Sequence, residues 1–201
     1  ALTVWHDELY VGGWFSQSGD GVPLSSAARW NGSTWSSLGS GMDGPVFSLA
    51  AAGGGIYAGG AFEVAGDASA KMVAFWNGTS WQALGAGLGG FSWFRRVNAL
   101  CVGPSGNLYA GGLFDTADNS PVRNLARWNG SSWSSVGAGG PDAEVGALAV
   151  SGNHLYVGGG FSQIQGQSLS GIACWDGLSW SPLGSGAGGP VNALLVSGNR
   201  L

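Results

Sequence analysis

A chain of 201 residues is long enough for one domain with a sizeable core, and it combines 40 glycines and 11 tryptophans with only 9% charged residues. Glycine without a strict three-residue period excludes a collagen-like chain, and 44% apolar residues exclude disorder, because such a chain can bury enough surface to offset its ordering entropy. A net charge of −4 with no basic stripe excludes a nucleic-acid partner, and no apolar run reaches the roughly 18 residues that a membrane span needs.

The chain opens on a short apolar strand, Ala1 to Trp5, without the basic and apolar regions of a secretion signal, so a secreted form is expected to have lost its leader already. The next element is Leu9-Tyr10-Val11-Gly12-Gly13-Trp14-Phe15. A polar loop follows, then a strand ending at Trp30, the pair Asn31-Gly32, and a strand carrying Trp35. Asn-Gly between two strands predicts a type I′ hairpin with φ above zero at both turn residues.

The same order then returns. The second element recurs as Ile56 to Phe62, Leu108 to Phe114 and Leu155 to Phe161, in steps of 47, 52 and 47 residues. The tryptophan pair, always five residues apart, recurs as Trp76/Trp81, Trp128/Trp133 and Trp175/Trp180. The first strand recurs as Val97 to Val102 and Val145 to Val150. It is apolar on both faces, which predicts cover on both sides by other sheets. No segment holds a 3.6-residue period, so helices are expected to be almost absent.

Self-similarity at this period is the signature of a repeat architecture. The expected fold class is all-β, a β-propeller of four-stranded antiparallel blades with four complete repeats and a partial fifth. The blades are placed at about residues 1–44, 45–90, 91–141 and 142–189, and the fifth repeat begins at 190–201 with a strand over Val191 to Val196. The glycine doublets suit close backbone approach near an inner axis, and the tryptophan pairs are expected to fill the space between blades. The leftover strand leaves three readings open: a piece of a larger propeller, which is favoured; association with another copy through the terminal blades; or four blades with a frayed tail.

With the doublets Gly12-Gly13, Gly59-Gly60, Gly111-Gly112 and Gly158-Gly159 and the four tryptophan pairs, the chain resembles the kelch-type, galactose-oxidase-like propeller repeats along nearly its whole length. It departs from them in carrying Trp where those repeats usually carry Tyr, and in the pair's spacing. It is also similar to repeat proteins of fungal cortical-marker type and of bacterial surfaces. The resemblance implies the propeller fold and is nearly silent on activity, since the fold hosts unrelated functions.

One loop breaks the repeat. Gly89 to Arg96 carries the five residues that lengthen one step from 47 to 52, and it holds Trp93, Phe94, Arg95 and Arg96. An aromatic plate beside guanidinium donors suits a sugar ring and its hydroxyls, so these four are the candidate ligand-binding residues. Packing on the blade surface is the competing reading. Asp20, Asp43, Glu63, Asp67, Asp115, Asp118, Asp142 and Glu144 are expected on the same loop face. They form no calcium-loop pattern and read as solvated charge. His6 and His154 sit at equivalent turns away from them, and no nucleophile elbow or triad spacing occurs. The copper site of galactose oxidase would need a His pair that is missing here.

No catalytic residue, metal or cofactor is therefore assigned. Cys101 and Cys174 read as buried thiols. Asn31, Asn77 and Asn129 match glycan-acceptor motifs that hairpin chemistry also explains. The expected function is a binding or structural module, extracellular or at the cell surface, for a carbohydrate or protein partner. The alternative is a propeller-type hydrolase or lyase that uses carboxylates of the loop face.

Overall fold

The computed structural model describes residues 1–198, 200 and 201. Every regular element among them is a strand. Sheet one holds β1 (Leu2–Trp5), β2 (Glu8–Gly12), β3 (Ala27–Trp30) and β4 (Trp35–Ser37). Sheet two holds β5 (Val46–Ala52), β6 (Gly55–Gly60), β9 (Val73–Trp76) and β10 (Trp81–Ala83), with a small hairpin, β7 (Val64–Ala65) and β8 (Ala68–Ser69), in its longest loop. After β11 (Leu88–Gly89), sheet three holds β12 (Arg96–Val102), β13 (Leu108–Leu113), β16 (Leu125–Trp128) and β17 (Trp133–Ser135), with β14 (Thr116–Ala117) and β15 (Ser120–Pro121) as its hairpin. Sheet four holds β18 (Val145–Ser151), β19 (His154–Gly159), β22 (Ile172–Trp175) and β23 (Trp180–Pro182), with the hairpin β20 (Gln163–Ile164) and β21 (Gln167–Ser168). All four main sheets are antiparallel, and each main strand pairs with the one before it.

Consecutive sheets lie face to face, with the first strand of each against the first two strands of a neighbour. Among the described residues no contact on that scale joins sheet four to sheet one. The joins explain the glycine doublets. The first glycine of each doublet faces the next sheet, where a Val and a Leu of the incoming first strand lie on it. A Cβ on Gly59 would stand 2.6 Å from Val97 Cγ1 and 3.1 Å from Leu100. Gly12 meets Val46 and Leu49 in the same way, and Gly111 meets Val145 and Leu148. The second glycine of the doublet, in Gly60, Gly112 and Gly159, has no room because its own sheet's first strand passes beside it.

The tryptophan pairs close the joins further out. Trp76 and Trp81 are cross-strand neighbours with ring centroids 5.3 Å apart, and the other three pairs lie between 5.1 and 5.5 Å. Such pairs add about 0.5–1.5 kcal/mol beyond the area they bury. In two of the pairs the second ring also reaches back to the preceding sheet. Trp81 Nε1 donates to Leu38 O and Trp133 Nε1 to Leu84 O, each at 2.8 Å.

Three local expectations are corrected. The Asn-Gly loops are four residues long, and only their glycines have positive φ, at 94° to 101°. The reason is the Asn side chain. Asn77 Oδ1 accepts the amides of Thr79 and Ser80, both at 2.9 Å, and Asn31 and Asn129 do the same in their loops. This Asx turn satisfies the loop and holds it open to four residues. Positive φ at both turn residues occurs instead at His6-Asp7, Asp118-Asn119 and Gln165-Gly166.

Val191 to Val196 is not a strand, since nothing among the described residues pairs with it. It nevertheless lies where a first strand would. A Cβ on Gly158 would stand 2.6 Å from Val191 Cγ1 and 3.4 Å from Leu194. Cys101 and Cys174 are unpaired; the Cys101 thiol is buried as expected, whereas Cys174 is only half-buried. Cys174 shares the outward face of sheet four with Gly158, and only Val191 to Leu194 covers that face.

Candidate binding site

The loop that lengthens the repeat stands between sheets two and three as a projecting aromatic tip. Phe91, Trp93 and Phe94 are 96%, 95% and 73% exposed. Exposed aromatic rings in a row are costly to leave in water, so single scattered ones need no reason and a cluster does. The tip has an ordered base. Asp115 N donates to Gly89 O at 3.0 Å, Phe94 N to Ser92 Oγ at 3.1 Å, and Arg95 N to Ser92 O at 3.3 Å.

The two arginines leave the tip in opposite directions. Arg95 pairs with Glu63 of the sheet-two loop at 2.6 Å, and Arg96 pairs with Glu144 at 2.6 Å, at the edge of sheet four. Arg96 also donates to Phe94 O at 3.2 Å and to Asn98 Oδ1 at 3.1 Å. Asn98 in turn donates to Glu144 Oε1 at 2.6 Å and to Val145 O at 2.9 Å. A β-bulge between Val97 and Ala99 frees Asn98 for this contact, and the same bulge recurs in β5 and β18. Of the four residues singled out by sequence, the structure thus exposes Trp93 and Phe94 and commits Arg95 and Arg96 to carboxylates. The guanidinium groups brace the loop. Phe91 belongs with the two rings, and its position inside the five-residue insertion was the signal for it.

A cleft of about 200 Å³ opens at the foot of the loop. Gly89, Gly90 and Arg95 form one wall, and Glu63, Lys71, Thr116 and Asn119 reach it from the neighbouring loops. Its donors and acceptors are of the kind that bond hydroxyl groups, and they lie beside the apolar tip.

Most of the remaining acids hold backbone. Asp43 Oδ1 accepts the amides of Glu63 and Val64, both at 2.9 Å, and Asp142 Oδ1 accepts those of Ser162 and Gln163 at 2.9 and 3.0 Å. Burial pushes the Asp142 carboxyl up, but these amides and the Ser162 hydroxyl outweigh it and hold the group below its ordinary value. Asp118 spans two loops, accepting from Ala86 N at 2.7 Å and Trp133 N at 2.9 Å. Asp20 takes the Ser18 hydroxyl. Among the described residues, no three His, Cys, Asp or Glu side chains gather closely enough to hold a metal ion.

The histidines stand at the opposite turns. His6 stacks on Trp5 with centroids 4.1 Å apart, and nearby Glu8 is tied to Arg29 at 3.2 Å and to the Tyr10 hydroxyl at 3.3 Å. Burial pushes the Cys101 thiol up to about 12, far from a reactive thiolate. Among the described residues, no helix is long and apolar enough to cross a membrane. Compared with known proteins, the chain matches no family model and no curated protein.

Proposed function

We propose that this protein is a non-catalytic binding module, a kelch-type β-propeller whose sheets are blades and whose ligand is a carbohydrate bound at the loop face. The repeated join supports the propeller reading. Three consecutive sheet pairs use one contact, Val and Leu on a glycine, and such a contact turns each sheet by a similar step. The single observation that carries the functional reading is the braced aromatic tip of Phe91, Trp93 and Phe94 beside a polar cleft. Trp93 stacks on the apolar face of a sugar ring. Lys71, Thr116 and Asn119 bond its hydroxyls. Two ion pairs tie the base of the tip to neighbouring loops, which reduces the ordering entropy lost on binding.

A hydrolase or lyase needs two carboxyls near each other with separated pKa values. Glu63, the acid that lines the cleft, is held in an ion pair with Arg95 instead. The low charge fits a stable module outside the cell or at its surface, and that is the location proposed.

A glycan array followed by calorimetry tests this, with Trp93→Ala as the variant. The expected result is saturable binding by the wild type, a loss of at least about tenfold in affinity for the variant, and an unchanged melting temperature. Equal binding by the two proteins moves the ligand elsewhere. Binding of a protein partner through the same tip, with no glycan bound, replaces the carbohydrate by a protein ligand. Turnover of a bound glycan overturns the non-catalytic reading.

A further inference from the structure

Sheets one and three build the same corner differently, at the turn end of the sheets opposite the aromatic tip. In sheet one, Trp5 and Glu8 face each other across the first turn, and Tyr10 pairs with Arg29 of the third strand. Side chains alternate along a strand, so these four share one face with Gly12, the face turned to sheet two. The Glu8 carboxylate accepts from the Arg29 guanidinium at 3.2 Å and from the Tyr10 hydroxyl at 3.3 Å. The Trp5 ring is half-buried, with Cη2 3.7 Å from where a Cβ on Gly78 would stand in a turn of sheet two. An aromatic ring and a carboxylate of the chain itself therefore occupy the corner between sheets one and two.

Sheet three keeps the two residues that receive the carboxylate and lacks the two that supply ring and acid. Tyr109 pairs with Arg127 as Tyr10 pairs with Arg29. Gly103 N donates to Asn107 O at 2.9 Å across the turn, so Gly103 stands in the place of Trp5 and Asn107 in the place of Glu8. Asn107 Nδ2 turns away to Ser105 Oγ at 2.8 Å. Among the described residues, the ion pairs are those of Arg29, Arg95 and Arg96, and Arg127 has none. Burial raises the Tyr109 hydroxyl above its ordinary pKa, and the Arg127 charge beside it acts in the opposite direction. The space that ring and acid fill in sheet one is here a cleft of about 280 Å³, near the lower end for small-molecule sites. Gly103 and Tyr109 line it from sheet three, Val150 and Leu155 from sheet four. Gly177, the counterpart of Gly78, also lines it and has nothing within 4 Å of a Cβ built on it. In sheet two, Phe75 stands in the arginine's place and packs on Tyr57 with centroids 4.7 Å apart, so no guanidinium stands there.

We propose that the cleft between sheets three and four binds a small aromatic carboxylic acid. Its ring takes the place of Trp5, against Tyr109 and Leu155 and over Gly177. Its carboxylate takes the place of Glu8 and accepts from the Arg127 guanidinium and the Tyr109 hydroxyl, a charge-assisted contact. The ligand class follows from the way the chain fills the matching corner with its own side chains. Asp176 stands on the rim next to Gly177, at the ring end of the cleft, and its charge favours a ring with an N–H edge, so the preferred acid carries an indole. This inference is independent of the sugar site, which lies on the loop face between sheets two and three.

Calorimetry on the full chain with indoleacetate as the probe tests it. The wild type is expected to bind the probe saturably at one site. Arg127→Gln removes the cation and should lose at least about tenfold in affinity. Asn107→Glu supplies the acid that sheet one has in this place, so it should compete with the probe and weaken binding to a similar degree. Gly103→Trp supplies the ring and should abolish binding. Tryptamine, which has the same ring with an amine in place of the acid, should bind at least about tenfold more weakly than indoleacetate. Circular dichroism establishes that each variant is folded. A Cβ on Gly103 would stand 3.2 Å from the Tyr109 ring; should Gly103→Trp fail to fold, Arg127→Gln, at an exposed side chain, decides. Absence of binding by the wild type at millimolar probe overturns the proposal. So does equal affinity for Arg127→Gln, undiminished binding by folded Gly103→Trp, or tryptamine binding as tightly as the acid. Glycan binding is read separately, so the two proposals fail separately.

Discussion

The joins between sheets and the loop between Gly89 and Arg96 obey opposite rules. At the joins, large side chains are matched to an absence. Val97 and Leu100 press on Gly59, Val145 and Leu148 press on Gly111, and tryptophans are buried with their N–H groups bonded. In the loop, large side chains are matched to nothing, and Phe91, Trp93 and Phe94 stand in solvent. The joins recur in every repeat and the loop occurs once. Residues that repeat therefore carry stability, and residues that break the repeat are free to carry recognition.

The largest effect that can test this division is at a buried tryptophan. Trp133→Ala removes a 7% exposed ring, its contact with Trp128 and the bond to Leu84 O. About 3–5 kcal/mol of stability should be lost, read as a shift in urea midpoint. Trp35→Ala, at the equivalent place where no other sheet among the described residues lies against the ring, should cost less than half as much. Equal losses would mean that the join is not what the second tryptophan stabilises.

The next effect is smaller and opposite in kind, since it adds volume. Gly111→Ala puts a methyl group inside van der Waals contact of Val145, and overpacking of this sort costs about 1–3 kcal/mol. Gly160→Ala lies one residue past a doublet and meets nothing within 4 Å. It should fall within about 0.5 kcal/mol of wild type. A Gly111→Ala protein as stable as Gly160→Ala would show that the sheets are not closely packed at the doublets.

These glycines also show how much could be read before the fold was seen. The doublets and tryptophan pairs were legible because the same residue types recur at one spacing, and the strands they sit on formed as expected. The positions before the third strands were not legible. Ser26, Met72, Asn124 and Gly171 all have positive φ, from 56° to 72°, yet they share no residue type. The backbone there is set by the two strands it joins, and the side chain merely tolerates it. The small loop hairpins were missed for a related reason. Two-residue strands such as Val64–Ala65 and Gln163–Ile164 are too short to show a period. At the candidate site, the insertion drew notice to Trp93 and Phe94, which the fold leaves exposed. The roles of Arg95 and Arg96 were hidden because Glu63 and Glu144 lie more than thirty residues from them in the chain.

The braces should contribute little to global stability. Glu144→Gln weakens the pair with Arg96 and the contact with Asn98, but the partners are about one-third exposed. Solvent screening limits the loss to about 1 kcal/mol. The stronger readout is local. Limited proteolysis within Phe91 to Phe94 should quicken when a brace is removed, while the unfolding midpoint barely moves. Unchanged cleavage would mean that the loop holds its shape without the ion pairs.

The smallest expected effect separates one repeat from the other three. Asp176 stands where Asn31, Asn77 and Asn129 stand, and its carboxylate accepts Ser179 N at 2.7 Å and Leu178 N at 2.8 Å. Those two amides hold its pKa below the ordinary aspartate value, about 3.9. A carboxyl depressed by folding contributes its full support above the unfolded value and loses it as pH falls through the lower folded one. An amide side chain has no such dependence. On acidification below about pH 4, hydrogen exchange at Leu178 and Ser179 should therefore quicken relative to Thr79 and Ser80, after correction for intrinsic rates. Asp176→Asn should abolish the difference. If all four loops loosened together, acid would be acting on the sheets and not on the turn. If none did, the two amides would be held by the four-residue loop itself, with the side chain following a backbone already fixed by its glycine.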